Sequence, residues 1–427
     1  MAIRLGLVGT GTVGGGCLEI LKNHAQDFKR HYGVELEMVR VCSLSDRVAT
    51  QYGYSDCFTT DYNDVITDPN VDIVIELIGG ITIAKKVVLG ALREGKHVVT
   101  ANKALMANFG EEIMSLAAEK GVELAFEASV GGGIPIISPL KHSLTANEIT
   151  SVMGIVNGTT NYMLTRMVEE NMSYDEVLKC AQDLGYAEAD PTADVDGLDA
   201  AAKIAILASI AFNSRVTIND VHAEGIRNIS PVDLQAADDM GYAVKLLAIA
   251  HRSAAGVDVR VHPTMISKKH PLASVNGVYN AIYVIGDAVG ESMFFGEGAG
   301  AGAAASAVMG DVIEVARHIQ LGCGPIVGCT CTDALPFVPM DELETKYYIR
   351  FLVEDRPGVL AAIASIFAAH GVSVHSVVQR GSDSLGHANL SYVTHKACEK
   401  SIRLALEEIA QLENVLVAQP SLIRVED

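Results

Sequence analysis

The densest group of residues able to do chemistry lies in the stretch GYAEADPTADVDGLDAAAK, from Gly185 to Lys203. It places Glu188, Asp190, Asp194, Asp196 and Asp199 in a short polar run just ahead of a lysine. Asp199 and Lys203 are four residues apart, so on a helix they share one face. An exposed pair of that kind is worth only about 0.5 kcal/mol. The IAILASIAF that follows is apolar nearly all round, which marks a buried helix. A partly buried lysine beside carboxylates is either a structural ion pair or a proton-transfer group, and the local sequence leaves both open. Tyr186, at the head of the same stretch, adds a hydroxyl. A second polar segment, VNGTTNY from Val156 to Tyr162, precedes a helical pattern. The amides and hydroxyls of Gly158 and Thr159 could hold a carboxylate there; equally, Thr159 or Thr160 could be an ordinary helix N-cap. Lys103, in TANKAL, follows a strand pattern, and ligands of open α/β sheets gather at strand carboxyl ends.

At the amino end, Gly9-Thr10-Gly11-Thr12-Val13-Gly14 is a GxGxxG loop that follows a strand pattern and opens a helix. In that context the glycines allow a tight turn and close approach of a pyrophosphate to the helix N-terminus. An NAD enzyme usually ends its second strand with an acid that binds the ribose hydroxyls. Here the corresponding run is Cys42-Ser43-Leu44-Ser45-Asp46-Arg47, with no acid at the strand end and an arginine that could meet a 2′-phosphate. NAD and NADP both stay open.

These groups need a scaffold. Strand patterns at Ile3–Val8, Leu36–Cys42, Val71–Ile78, Lys96–Thr100 and Val122–Glu127 alternate with helical ones, including 83–94 and 111–120. That alternation predicts a Rossmann-type, doubly wound parallel α/β sheet over residues 1–130. VGGGIPIISPL, around Gly131, reads as a hinge into an α+β catalytic or dimerisation domain over 131–333. Residues 334–346, with two prolines and a run of acids, read as a linker. From 347 to 427 the order is strand, helix, strand, strand, helix, strand, the ferredoxin-like βαββαβ arrangement.

The chain has 427 residues, enough for two or three domains, and a globular composition with 49% hydrophobic and 20% charged residues. A net charge of −20 repels phosphate backbones and anionic bilayers, so neither a nucleic-acid nor a membrane partner is expected. No apolar run has the length of a membrane span. The short apolar run at the amino end leads into a glycine loop and not into a cleavage site. The eight cysteines form no CxxC pair, and Cys323, Cys329 and Cys331 lack zinc-like spacing with histidine. Scattered thiols in a long chain fit a reducing, cytoplasmic setting.

Taken together and in order, GTGTVG, TANKAL, EASVGGGIPII, GIVNGTTNYML, GYAEADPTADVDGLDAAAKIAIL and GEGAG resemble the homoserine dehydrogenases over Met1 to Cys329. The resemblance implies reversible NAD(P)H-dependent reduction of L-aspartate 4-semialdehyde to L-homoserine, on the route to threonine, methionine and isoleucine. It implies that Lys203 is the proton donor and Lys103 a second active-site lysine. Glu188 and Asp199, with Asp194 nearby, would hold the substrate ammonium. Gly300 matches a loop that closes on the cofactor. Glu127, with the carbonyls of Val130, Gly132 and Ile134, matches a site for a monovalent cation, Na+ or K+. The family often has Arg-Asp where this chain has Cys42-Ser43, a departure that weakens the implied NADP preference. A homodimer or homotetramer is expected, since both kinds of domain commonly self-associate.

The segment VEDRPGVL, from Val353 to Leu360, resembles the turn of an ACT regulatory domain. Asp355 and Gly358 match that turn, and GVSVHS, from Gly371 to Ser376, matches the loop and strand that follow it. The resemblance implies an amino-acid effector, most simply threonine, acting by feedback inhibition. A domain that serves only to dimerise is the alternative. For the chain as a whole, the rival readings are another dehydrogenase on the same scaffold and a nucleotide-bound sensor without turnover. The presence of Lys103, Glu188, Asp199 and Lys203 together opposes the sensor.

Overall fold

The computed structural model describes residues 2–382 and 386–426. The chain folds into two compact units interleaved in sequence. One comprises residues 1–152, 202–221 and 279–334; the other comprises 153–201, 222–278 and 335–427.

The first unit is built on a six-stranded sheet of β1 (Ile3–Val8), β2 (Leu36–Cys42), β3 (Phe58–Thr59), β4 (Ile73–Glu76), β5 (His97–Thr100) and β6 (Leu124–Ala125). Its order is β3-β2-β1-β4-β5-β6 and every pairing is parallel, as the alternating pattern predicts. Leu5, Leu7, Ile73, Ile75, Val98 and Val99 are fully buried because helices cover both faces, which is why these strands read as unbroken apolar runs. The direction of winding reverses between β1 and β4, the point where such sheets bind ligands. Helix Thr12–Asp27 leaves β1 and extends beyond the expected end at Leu21. Helix Ala301–Leu321 packs on it so closely that a side chain at Gly16 would lie 2.7 Å from the Ala301 carbonyl. Helix Lys103–Lys120 starts at Lys103, not at Glu111 as expected, because Asn102 caps it by accepting from the Leu105 amide at 3.0 Å. Strands Tyr279–Gly286 and Gly290–Glu297 form an antiparallel hairpin in the same unit.

In the second unit, Tyr242–Ser253 and Gly256–Ser267 pair antiparallel along their whole length. The C-terminal strands Glu344–Glu354, Val374–Ser382, His387–Thr394 and Ser421–Glu426, with helices Val359–Ala369 and Glu399–Ile409, give the predicted βαββαβ order. The first strand lies between the fourth and the third, and the second is at the edge. Their core is aromatic: the Tyr392 ring meets Phe351 at 5.7 Å and Phe367 at 5.4 Å, both edge-on.

Two features depart from expectation. The last strand begins at Ser421 and not near Val415, because Asn414 turns the chain left-handed (φ 55°) and Pro420 has no N–H to give to a ladder. That strand then pairs in parallel with Gly256–Ser267, Thr264 opposite Arg424 and Ile266 opposite Glu426, so the C-terminal sheet continues into the long hairpin. The segment read as a spacer is also pinned: the Val257 amide donates to the Pro336 carbonyl and the Val338 amide to the Val257 carbonyl, each at 2.9 Å. Among the described residues no helix is long and apolar enough to cross a membrane.

Candidate active site

The nucleotide loop follows β1. Gly9 has φ 104°, and a side chain there would meet the Leu77 carbonyl at 2.5 Å; one at Gly14 would lie 2.0 Å from the Gly9 carbonyl. Both must be glycine for the turn to close. At Gly11 no protein atom lies within 4 Å of where a side chain would begin, which leaves the backbone open to a ligand at the N-terminus of helix Thr12–Asp27. Thr12 and Val13 are the first two residues of that helix. Thr10 donates to the Ser43 hydroxyl at 2.7 Å, tying the loop to the end of β2. No carboxylate ends that strand, and Asp46 and Arg47 are both exposed.

Beside the loop, Glu76 ends β4 directly opposite Val8 and is fully buried. It accepts from Thr100 at 2.6 Å and from the Ile78 amide at 2.8 Å. Burial pushes this carboxyl up, against the pull of those donors and of Asn102. Asn102 in turn donates to the Gly80 carbonyl at 2.6 Å. This network fixes the TANK turn and sets Lys103 at the first position of its helix. Sequence reasoning missed Glu76; its signal was an acid set between apolar residues near the end of the run VDIVIELI.

Helix Leu198–Ala211 carries Asp199 in its first turn and Lys203 one turn later, and both are buried. The VNGTTNY segment supplies their neighbour. Asn157, and not Thr159 or Thr160, caps helix Gly158–Glu169, accepting from the Thr160 amide at 2.9 Å. Its Nδ2 donates to Asp194 at 2.7 Å and to Asp199 at 3.0 Å, gathering two carboxylates on one amide. Asparagine is among the best N-caps, so the cap was legible, but the two acids it holds were not. Gly158 opens the helix, and Thr159 donates to the Tyr186 carbonyl at 2.6 Å, tying the two polar segments together. The Tyr186 ring is half exposed and meets Tyr162 edge-on at 5.1 Å. The structure therefore joins Asn157, Thr159, Tyr186, Asp194 and Asp199. Glu188 is exposed; the bond that ties it is to its main-chain carbonyl, from Gln182 at 3.1 Å.

Around Gly131 the chain turns through two left-handed residues, Gly131 and Gly132. A side chain at Gly132 would lie 2.4 Å from the Gly298 carbonyl, so the GEGAG loop packs backbone to backbone on the hinge; Gly300 (φ 129°) caps the helix after it. Glu127 is buried, and its carboxylate accepts the amides of Ile136, Ile137 and Ser138 at 2.6 to 2.8 Å. The Glu127 side chain thereby holds the start of the segment that follows the hinge.

In the C-terminal part, Gly358 (φ 96°) caps helix Val359–Ala369, and Asp355 accepts from Gln379 at 3.0 Å. Ser376 is half-buried and lies just past a register shift against Val393.

Comparison with known proteins gives the same reading. The homoserine dehydrogenase family model matches residues 135–313, and the model of its NAD-binding domain matches residues 9–127. A homoserine dehydrogenase from Synechocystis is 49% identical over 100% of both chains. The chain belongs to the homoserine dehydrogenase family. It is an NAD(P)-dependent oxidoreductase that interconverts L-aspartate 4-semialdehyde and L-homoserine. The ACT-domain model matches residues 347–414. The crystal structure of a homoserine dehydrogenase from Thiobacillus denitrificans is 41% identical, covers 100% of this chain and 99% of its own, and superposes with a TM-score of 0.95. A hyperthermophilic archaeal homoserine dehydrogenase in complex with NADPH is 27% identical, covers 77% of this chain and 100% of its own, and gives a TM-score of 0.65.

Proposed function

We propose that Lys203 donates the proton to the aldehyde oxygen as hydride reaches the carbonyl carbon, and that Asp199, Asp194 and Glu188 hold the substrate ammonium. The observation that carries this reading is Asn157: one amide binds two carboxylates, and one of these sits a single helical turn before the lysine. Carboxylates gathered in that way give a cationic amino group a fixed seat and so orient the aldehyde. A lysine ammonium stabilises the developing alkoxide and supplies its proton. Lys103, at a helix start beyond the end of β5, is the second lysine of the site, and Gly158, Thr159 and Tyr186 complete the substrate contacts. The nicotinamide supplies the hydride when bound. Gly9 to Gly14 hold its pyrophosphate, and Gly300 belongs to the loop that closes on it.

The decisive experiment is homoserine-dependent reduction of NAD+ and NADP+ by the parent and by Lys203→Ala. Loss of about 10²- to 10⁴-fold in kcat is the expected size for a proton donor. A variant within threefold of the parent would remove Lys203 from the chemistry.

We infer further that the ACT domain senses an amino acid, most simply threonine, through Asp355, Gly358 and Ser376. A physical link from that domain to the substrate loop supports this. Arg424, on the last ACT strand, donates to both oxygens of Glu224 at 2.8 and 2.9 Å and to Glu399 at 2.6 and 2.9 Å. Next to Glu224, Gly225 touches the loop itself: a side chain there would lie 2.0 Å from the Val195 carbonyl, and the Ile226 amide donates to that carbonyl at 2.8 Å. Val195 and Asp196 lie between Asp194 and Asp199, so any shift of the last strand reaches the acids.

An oxygen-only cation site also suits the hinge, since hard monovalent ions take carbonyl oxygens. Asn280 is fully buried, has no hydrogen-bond partner for either amide atom, and lies against Gly298. Na+ or K+ at the carbonyls of Val130, Gly132 and Ile134 would hold the hinge to the GEGAG loop. We place the enzyme in the cytoplasm, a reducing setting that suits its eight free cysteines, and expect a homodimer or homotetramer. Tyr279, Met293 and Phe295, exposed along one hairpin, suit such an interface.

A further inference from the structure

The Cys-Thr-Cys sequence at 329–331 takes no part in the reaction, yet its surroundings are specific. Cys329 is exposed, and the Arg215 guanidinium lies 4.0 Å from its sulfur. Lys141 and Cys331 line the same small cavity of about 50 Å3, and Cys331 donates its thiol to the Ser209 carbonyl at 3.5 Å. Two cations beside one accessible sulfur favour its thiolate. The cavity is walled by Met106, Ala107 and Gly110 of the Lys103 helix and by Ile206, Ser209 and Ile210 of the Lys203 helix. Arg215 joins the two features: it packs over Gly110, 3.3 Å from where a side chain there would begin, and faces Glu111 at 4.0 Å. The pair therefore lies against both helices that carry the lysines.

We propose that Cys329 and Cys331 form a peroxide-oxidisable dithiol that closes to an intramolecular disulfide. In the first step the Cys329 thiolate attacks a hydroperoxide. An S–O bond forms, the O–O bond breaks, the sulfur is oxidised to sulfenic acid, and the departing oxygen takes a proton to leave as an alcohol or water. In the second step the Cys331 sulfur attacks the sulfenic acid. The S–S bond forms, the S–O bond breaks, and hydroxide leaves with the Cys331 proton as water. Both cysteines line the one cavity, so their thiols face a common space. Closure takes Cys331 from the Ser209 carbonyl and removes the negative charge that faces Arg215, so the seating of both lysine helices changes with redox state.

The neighbouring Cys331 and then the Arg215 and Lys141 charges draw the Cys329 thiol below its ordinary range, against the opposing effect of its partial burial. The test uses the full enzyme. Iodoacetamide at neutral pH should label Cys329 at least tenfold faster than the exposed Cys323. After hydroperoxide treatment, peptide mass analysis should show a 329–331 disulfide that dithiothreitol reverses. Cys331→Ser should stop at a sulfenic acid that dimedone captures on Cys329, and Cys329→Ser should give neither product. Cys331→Ser, which keeps a hydroxyl donor for the Ser209 carbonyl and the Cys329 charge, should keep the parent's turnover under reducing conditions. Equal labelling of Cys329 and Cys323, or the same peroxide products in Cys329→Ser as in the parent, would overturn the proposal.

Discussion

Asn157 is where the fold and the proposed chemistry can be pulled apart. Its Oδ1 caps a helix and its Nδ2 bridges Asp194 and Asp199. Asn157→Ala removes both jobs. Asn157→Ser keeps a good cap, since serine accepts from the same amide, but is too short to reach the carboxylates. Losing a cap costs about 1 kcal/mol. Each hydrogen bond to a charged group contributes about 1.5 to 3 kcal/mol. Alanine should therefore destabilise by about 4 to 7 kcal/mol in sum and serine by about 1 kcal/mol less. If one bridging bond is what aligns the acids in the transition state, kcat/KM for homoserine should fall about tenfold; if both are, the fall should be about a hundredfold or more. The assay is steady-state homoserine oxidation with saturating cofactor, with thermal unfolding of the same samples. Serine and alanine should lose kcat/KM equally while alanine melts a few degrees lower. Loss in alanine with parent-like kinetics in serine would show that the cap alone matters and would refute the bridging argument.

Three other outcomes follow from the same geometry. Gly225→Ala must move either its own backbone or that of Val195, so KM for homoserine should rise severalfold with KM for the nucleotide unchanged; parent-like kinetics would mean that the loop tolerates displacement. Burial pushes the Glu224 carboxyl up, but hydrogen bonds from His222 and Arg424 override this and hold it well below the usual carboxylate range. The unfolded chain therefore binds the proton first on acidification: the stabilisation is complete above about pH 5 and is lost as pH falls through and below the unfolded value of about 4.3. Melting curves of Glu224→Gln should lie below the parent at neutral pH, with a gap that narrows steadily as pH falls below about 4; a constant gap would contradict the assignment. Arg47→Ala should raise KM for NADP+ at least fivefold and leave KM for NAD+ alone if that guanidinium meets a 2′-phosphate, and an equal effect on both would exclude that contact.

Much of this protein is written locally. The glycine loop, the buried strands of the first sheet and the βαββαβ order are period and turn signals carried by neighbouring residues, so the sequence alone predicts the Rossmann-type sheet and the ferredoxin-like C-terminal domain. The placement of Asp199 and Lys203 one turn apart on a buried helix is helical spacing and was equally visible. Tertiary structure decided what depends on distant partners. Helix Lys103–Lys120 begins early because Asn102 is held by Gly80 and the network of Glu76, more than twenty residues away. The last strand begins late and then pairs with Gly256–Ser267, a register set by a segment about 160 residues earlier. Asn157 reaches Asp194 and Asp199 across a separation of 37 and 42 residues, and Arg424 reaches Glu224 across 200. Short-range steric and hydrogen-bond preferences fix the elements, whereas which carboxylate meets which donor depends on how those elements pack, and no local pattern encodes that.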